Sequence, residues 1–530
     1  MMTNQKLFIL LAVFLTSFQI CFSQEQNYYK NVSGSIQERT LKSTLNNWEY
    51  TSNPTSLGVN PMPDYGITYF GGIYLAGDDH RAQQEGSKSG INFYSDSYKG
   101  LKHLNLWGAF KYSQSRLKDK AFSDIIDPYN GNPYYAGSAL KGEYEEQLIE
   151  LKAKMSSKKL FNFAYAGIGV EYQVGDYSRL RDPRSRSLLA NYSINPGFAF
   201  QLSPCSKVGI TGSYRFSKEK MEKPVTISNQ SDKYDYYDMK GNGEYNIVRI
   251  LDYERDRISN ILGSEIQYEL SKNNFNFLLS AGIDSREDKV EQASQKSPGD
   301  YNSVTYSAGI YANIIYNKGV HNFNLKINDV NGWSNEYLQE PGVYTNPNGA
   351  IISIWETIFS AVKYRNFATN ALAGWTYYHL DTPGEYDWYA GLSYSYDKSE
   401  CRYILPYSSI GIEKSTIKAR GGYVLLNKNR NSVHLSGSFG YQTKGNNHLV
   451  LNELLEAAQK TVIQDNVLIP DYNYFNHDRV FYGADIKYKF PLQRSKNSLS
   501  GYISVYGNNY NIIKGSNRAL VGFAFGILTF

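Results

Sequence analysis

Four arginines crowd one polar stretch, Tyr177-Ser178-Arg179-Leu180-Arg181-Asp182-Pro183-Arg184-Ser185-Arg186. A guanidinium presents a planar fork of donors that matches phosphate and carboxylate oxygens. Arg179, Arg181, Arg184 and Arg186 therefore mark an anion-binding or constriction site, taking either a solute in a lumen or the phosphates of lipopolysaccharide. The competing reading is a loop folded inward and pinned to acidic residues such as Asp127, Asp176 or Asp182. Signs of catalysis are thin. The seven histidines show no helical metal-pair spacing, and there is no Gly-x-Ser-x-Gly elbow. His434 and Ser436, in Val433-His434-Leu435-Ser436, read as the polar face of a strand. Asp78-Asp79-His80 offers three cation ligands in a loop. Asp232, Asp235 and Asp238 interleave with tyrosines but lack the glycine and terminal glutamate of a calcium loop. The sequence thus predicts no enzyme, no cofactor and no metal centre.

The elements that would carry these residues are strands. From Tyr65 onward a two-residue period dominates. Leu104, Leu106, Gly108, Phe110 and Tyr112 share one face, and Val208, Ile210, Tyr214 and Phe216 share another opposite Lys207, Thr211, Ser213 and Arg215. Runs of ten or so residues suit a tilted transmembrane strand, whereas sandwich strands are usually about five or six. Short polar turns alternate with long polar stretches at 117–142, 175–186, 218–258, 286–301, 329–349 and 444–478. Only 452–464 breaks the period, with Leu454, Leu455, Ala458 and Val462 at helical spacing. The expected fold is all-β: a transmembrane antiparallel β-barrel of the outer-membrane type with about 20 strands (range 14–20) and long external loops.

Composition supports that reading. Tyr 48, Phe 25 and Trp 6 make up 15% of the chain, and tyrosine suits a membrane interface. A net charge of +5 over 530 residues, without a dense basic run, argues against nucleic acid as a partner. Lys6 followed by the short apolar run Leu7 to Leu15 reads as a secretory signal. The organisation that follows is a signal peptide at 1–23, a periplasmic or lumenal segment at 24–64 and the barrel at 65–530. An oxidising compartment would permit one disulfide between Cys205 and Cys401.

The C-terminal strand Arg518 to Phe530 is apolar on both faces and ends on phenylalanine. With Leu528 and Phe530 as its assembly signal, it resembles the closing strand of outer-membrane barrels delivered by the barrel-assembly machinery. Its two apolar faces imply lipid on one side and packed protein on the other. Asp127-Pro128-Tyr129, the Tyr177–Arg184 motif and the Trp48…Asn53-Pro54 entry resemble an uncharacterised family of Gram-negative outer-membrane β-barrel proteins found near TonB-dependent receptors. That resemblance implies residence in the cell outer membrane among lipid and lipopolysaccharide. It also implies a TonB-dependent receptor or surface lipoprotein as partner. Two functions stand side by side: a constricted, porin-like channel or uptake component for a small solute, and a non-enzymatic accessory subunit of a TonB-dependent receptor complex.

Overall fold

The computed structural model describes residues 36–227, 234–248, 253–293, 296–345, 348, 351–382, 385–428, 431–452, 462–492, 499–512 and 515–529. The signal segment, Asp232, Phe530 and most of 452–464 lie outside the described residues. Eighteen antiparallel strands form one closed ring, and a short extra strand, His448–Val450, adds to its edge. Each wall strand pairs with the next wall strand in sequence. The ring closes where the first strand, Tyr65–Gly77, pairs with the last, Asn517–Thr529, from Gly66 opposite Thr529 to Gly77 opposite Arg518. Every wall strand is thereby bonded on both sides, which is what hydrocarbon demands of a β structure.

The two-residue period sets the faces. Val521, Phe523, Phe525 and Ile527 point outward and are exposed, as are Ile210, Leu392 and Ile486. Together they form the apolar band that meets lipid. Above it, at the long-loop end, the outer face turns polar, with pairs such as Arg116–Glu143 and Lys218–Asp256. Inward from the seam, Leu528 packs with Leu57, Tyr65, Ile67, Tyr98 and Tyr502. The expectation that one face of the last strand meets protein is met by the alternates Leu528 and Gly526. A Cβ on Gly526 would lie 2.8 Å from the Tyr502 ring and 2.7 Å from Tyr69 Cβ, so this position has room only for hydrogen.

Two stretches expected as loops are strand. Gly319–Thr345 and Ile351–Thr382 pair along their length, with bulges after Ser334 and Leu338. At about 3.3 Å per residue the 32-residue partner is far longer than a bilayer is thick. Its first half pairs with 335–345 in a ribbon that extends past the rest of the wall, with Leu338, Val343, Ile358 and Phe359 exposed on it, and the polar composition of 329–349 disguised it. Within 218–258, Tyr236–Gly241 and Glu244–Val248 form a hairpin that joins Ala136–Ser138 in a separate three-stranded sheet.

Because Leu528 is buried and Phe525 faces lipid, their truncations should separate. Leu528→Ala should cost about 2–5 kcal/mol, as large-to-small core substitutions do, and lower the urea midpoint of the folded barrel. Phe525→Ala should shift it less. Equal shifts would show that the seam is not packed from within.

Candidate functional site: a lumen closed at both ends

The segment before the first strand crosses the lumen at the short-turn end. Its helix Ile36–Leu45 leads into a 3-10 turn at Asn47–Tyr50, capped by the Asn46 side chain, which accepts from Trp48 N–H. On one side Arg39 pairs with Asp96 at 2.8 Å, and Asn105 donates to the Leu57 carbonyl at 2.8 Å. Nearly opposite in the ring, Asn47 donates to Asn276 Oδ1 at 2.9 Å and accepts from Asn313 at 2.7 Å. Asn53 donates to the Phe198 carbonyl and to Gln267 Oε1, at 3.1 and 3.0 Å. Trp48 is fully buried against Tyr165, Ala199, Leu278 and Tyr311. It reaches the wall because residue 209 is glycine: a Cβ there would lie 2.6 Å from the indole.

The long-loop end is closed by loops folded inward. Asp124 is the hub of the 121–141 loop, accepting from Tyr144 Oη and Tyr236 Oη at 2.6 Å each. Ser187 donates to its carbonyl at 2.7 Å. Ile126 N–H donates to Glu219, Asn132 to Asp288, and Arg286 to the Asn130 carbonyl. Across the mouth Asn242 donates to the Cys401 and Ser408 carbonyls at 2.9 Å each. Burial pushes the Asp238 carboxyl above its usual range, although Gln292 and Tyr253 donate to it. It pushes the Tyr135 phenol up to about 12. The helical piece Gln464–Leu468 and Ile469–Phe475 caps this end, with Ile463 and Val467 packed on Phe122, Tyr237 and Met239.

The wall between the two closures is polar, and the space is hollow. One cavity of about 330 Å³ lies above the N-terminal segment, touching Tyr50, Ser52 and Glu265. A second, of about 320 Å³, lies against Asn130, Arg257 and Arg286. Both reach Glu171, Ser193 and Arg215.

The arginines singled out by sequence are not gathered here. Arg179 points inward and is buried, donating to Tyr144 Oη at 3.1 Å and to the Leu140 carbonyl at 2.9 Å, 3.8 Å from Asp124. Arg186 lies on the outer rim, paired with Asp176 at 2.6 Å. Arg184 pairs with Asp182 at 3.2 Å, and Arg181 is exposed. Alternation explains the split: residues an odd number apart on a strand face opposite ways, and the turn after Arg179 resets the phase. Asp79 holds no cation site, since both its oxygens accept from Arg479, at 2.9 and 3.0 Å. Among the described residues no group of three or more His, Cys, Asp or Glu is placed to hold a metal. Cys401 is a free thiol, so it is not joined to Cys205.

Of the residues that matter most here, Trp48 and Asn53 entered the sequence reading only through a family motif, and Asn47, Glu219, Arg257 and Asp288 were not marked. The cue was an Asn-Asn-Trp and Asn-Pro stretch without a period, and charges on the lumen side of alternating strands.

The geometry defines a class: a β-barrel of the outer-membrane type, closed on itself and occluded from within at both ends. The chain belongs to a family of unknown function, DUF6850, whose profile matches residues 54–530. No curated protein matches the sequence. Among solved structures it is similar to the copper transporter OprC, at 9% identity and a TM-score of 0.41, over 86% of this chain and 66% of that one. The chain thus spans just under two thirds of that transporter's length. It is also similar to the FrpB iron transporter from Neisseria meningitidis (F5-1 variant), at 10% and 0.38, over 89% of this chain and 84% of that one. A third is the TodX deltaS2S3 mutant monoaromatic hydrocarbon channel, at 9% and 0.31, over 92% and 94%.

The buried Arg479–Asp79 pair ties the first long loop to the wall beneath the helical cap. Asp79→Ala leaves Arg479 buried and uncompensated, at a cost of about 3–5 kcal/mol. Faster amide hydrogen exchange across 464–478, with the 39–60 segment unchanged, is the expected result.

Proposed function

We propose that the protein is a non-enzymatic uptake component of the outer membrane, admitting a small polar solute through a lumen that is constricted at rest. The apolar outer band and the seamless ring support placement in a bilayer, with the short turns and the N-terminal segment on the periplasmic side. The observation that carries the reading is the hollow between the two closures. Its walls are polar, and its two cavities meet at Glu171, Ser193 and Arg215. A barrel that served only to dock a receptor would gain nothing from a hollow in its middle, because an unfilled lumen forgoes packing.

The periplasmic closure is held mainly by neutral amides, each worth about 0.5–1.5 kcal/mol net. Loosening it is therefore feasible without losing the barrel. In planar bilayers the native protein should show small, infrequent openings. The double substitution Asn47→Ala with Asn53→Ala should raise conductance several-fold while the barrel keeps its heat-modifiable gel mobility. A barrel that is silent both before and after the substitutions would overturn the uptake reading and leave the accessory-subunit reading in its place.

A further inference from the structure

The charges around the upper cavity are paired, and Arg257 is the one held most loosely. Lys111 pairs with Glu150 at 2.9 Å, Lys152 with Glu171 at 3.4 Å, Arg215 with Asp284 at 2.7 Å and Arg286 with Asp288 at 2.5 Å. Arg257 lines the same cavity and is buried, but stands 3.7 Å from Glu219 and 4.0 Å from Asp288. Its hydrogen bond to Ser217 Oγ is long at 3.4 Å, and among the described residues its Nε is buried with no partner. Burying a guanidinium donor without an acceptor is costly, and a fork of this shape is completed by a carboxylate. The rest of the lining is rich in neutral donors and acceptors: Gln173, Asn191, Ser193, Ser217 and Ser259. Tyr172, Tyr192, Phe216 and Ile261 complete the lining, so the chamber offers hydrogen bonds for hydroxyls and apolar contact for a ring's carbon face. The volume, about 320 Å³, falls in the range of small-molecule sites.

We propose that this chamber is a recognition site for a small hydroxylated carboxylate, the chemistry of a sugar acid, with Arg257 taking the carboxylate and the amide and serine side chains taking the hydroxyls. The site is distinct from the Arg179–Arg186 stretch, and it rests on the uptake reading in that a solute must reach the lumen. Arg257 is a binding residue. Arg286 is a positioning residue, since its donors go to Asp288 and the Asn130 carbonyl and so hold the loop that roofs the chamber.

The test is isothermal titration of the full-length barrel in detergent, at constant chloride, with galacturonate and with galactose. The two share a ring and differ in the carboxylate. Galacturonate should bind about ten- to a hundredfold more tightly, the worth of a charge-assisted hydrogen bond. Arg257→Gln should abolish that preference, and Asn191→Ala should weaken both sugars while leaving their ratio unchanged. Equal affinity of the native barrel for the two would overturn the proposal, as would an Arg257→Gln barrel of normal heat-modifiable mobility that keeps the preference. Should that variant not fold, the native ratio decides alone. Preferential galacturonate binding by a barrel that is silent in bilayers would uphold the recognition site and sink the uptake reading. Conduction without preference would do the reverse.

Discussion

Everything in this protein follows from the bond between its first strand and its last. Lipid offers no water to an unpaired strand edge, so the sheet has to close. The register that closes it, Gly66 opposite Thr529, fixes which residues of the last strand face lipid and which face the lumen. An eighteen-stranded ring is too wide for its own side chains to fill. The inward residues at the seam, Leu528 and Gly526, therefore need something to pack against. The N-terminal segment supplies it for Leu528 through Leu57, and the neighbouring wall strand supplies Tyr502, which covers Gly526.

The two closures are built from different chemistry. At the short-turn end the contacts are mostly between amides: Asn47 with Asn276 and Asn313, Asn53 with Gln267. Movement there exchanges one neutral partner for another. At the long-loop end the contacts are ionic or bind a carboxylate to tyrosines: Asp124 with Tyr144 and Tyr236, Asp288 with Arg286, Asp79 with Arg479. Removing the 121–141 loop would take Asp124 from the buried hydroxyls of Tyr144 and Tyr236 and take the donors Ile126 N–H and Asn132 from Glu219 and Asp288, and buried polar groups left without partners are costly. The asymmetry makes the N-terminal segment the more weakly held of the two closures.

The barrel was legible because alternation is a property of the backbone. A strand shows its two faces whatever it packs against, so Val521, Phe523, Phe525 and Ile527 could be paired off against Leu528 and Gly526 from sequence alone. What lies inside was not legible, because those contacts join residues far apart in the chain. Asn47 meets Asn313, and Asp79 meets Arg479. Nothing local to Asp78-Asp79-His80 says that a distant arginine will claim both oxygens. In the arginine stretch, alternation across a turn sends Arg179 into the lumen and Arg186 to the outer rim, and Arg186 and Arg184 pair with Asp176 and Asp182, two of the acidic residues the sequence offered as partners.

The weak net charge of +5 hid a further arrangement. On one wall, Lys418 and Arg420 share the inward face with Lys414, and Arg420 donates to the buried Thr376. Lys487 approaches the Tyr502 ring on the same side of the barrel. On the opposite wall Glu150, Glu171 and Asp284 border the cavities with their partner cations, and Glu265 borders them with Ser52. A sum over the chain cancels these terms, but a solute between the walls feels them separately, because field in a low-dielectric passage is set by the nearest charges and not by the total. Selectivity in such a lumen is therefore a local property. In the upper chamber the most loosely paired guanidinium is that of Arg257, 3.7 Å from Glu219 and 4.0 Å from Asp288.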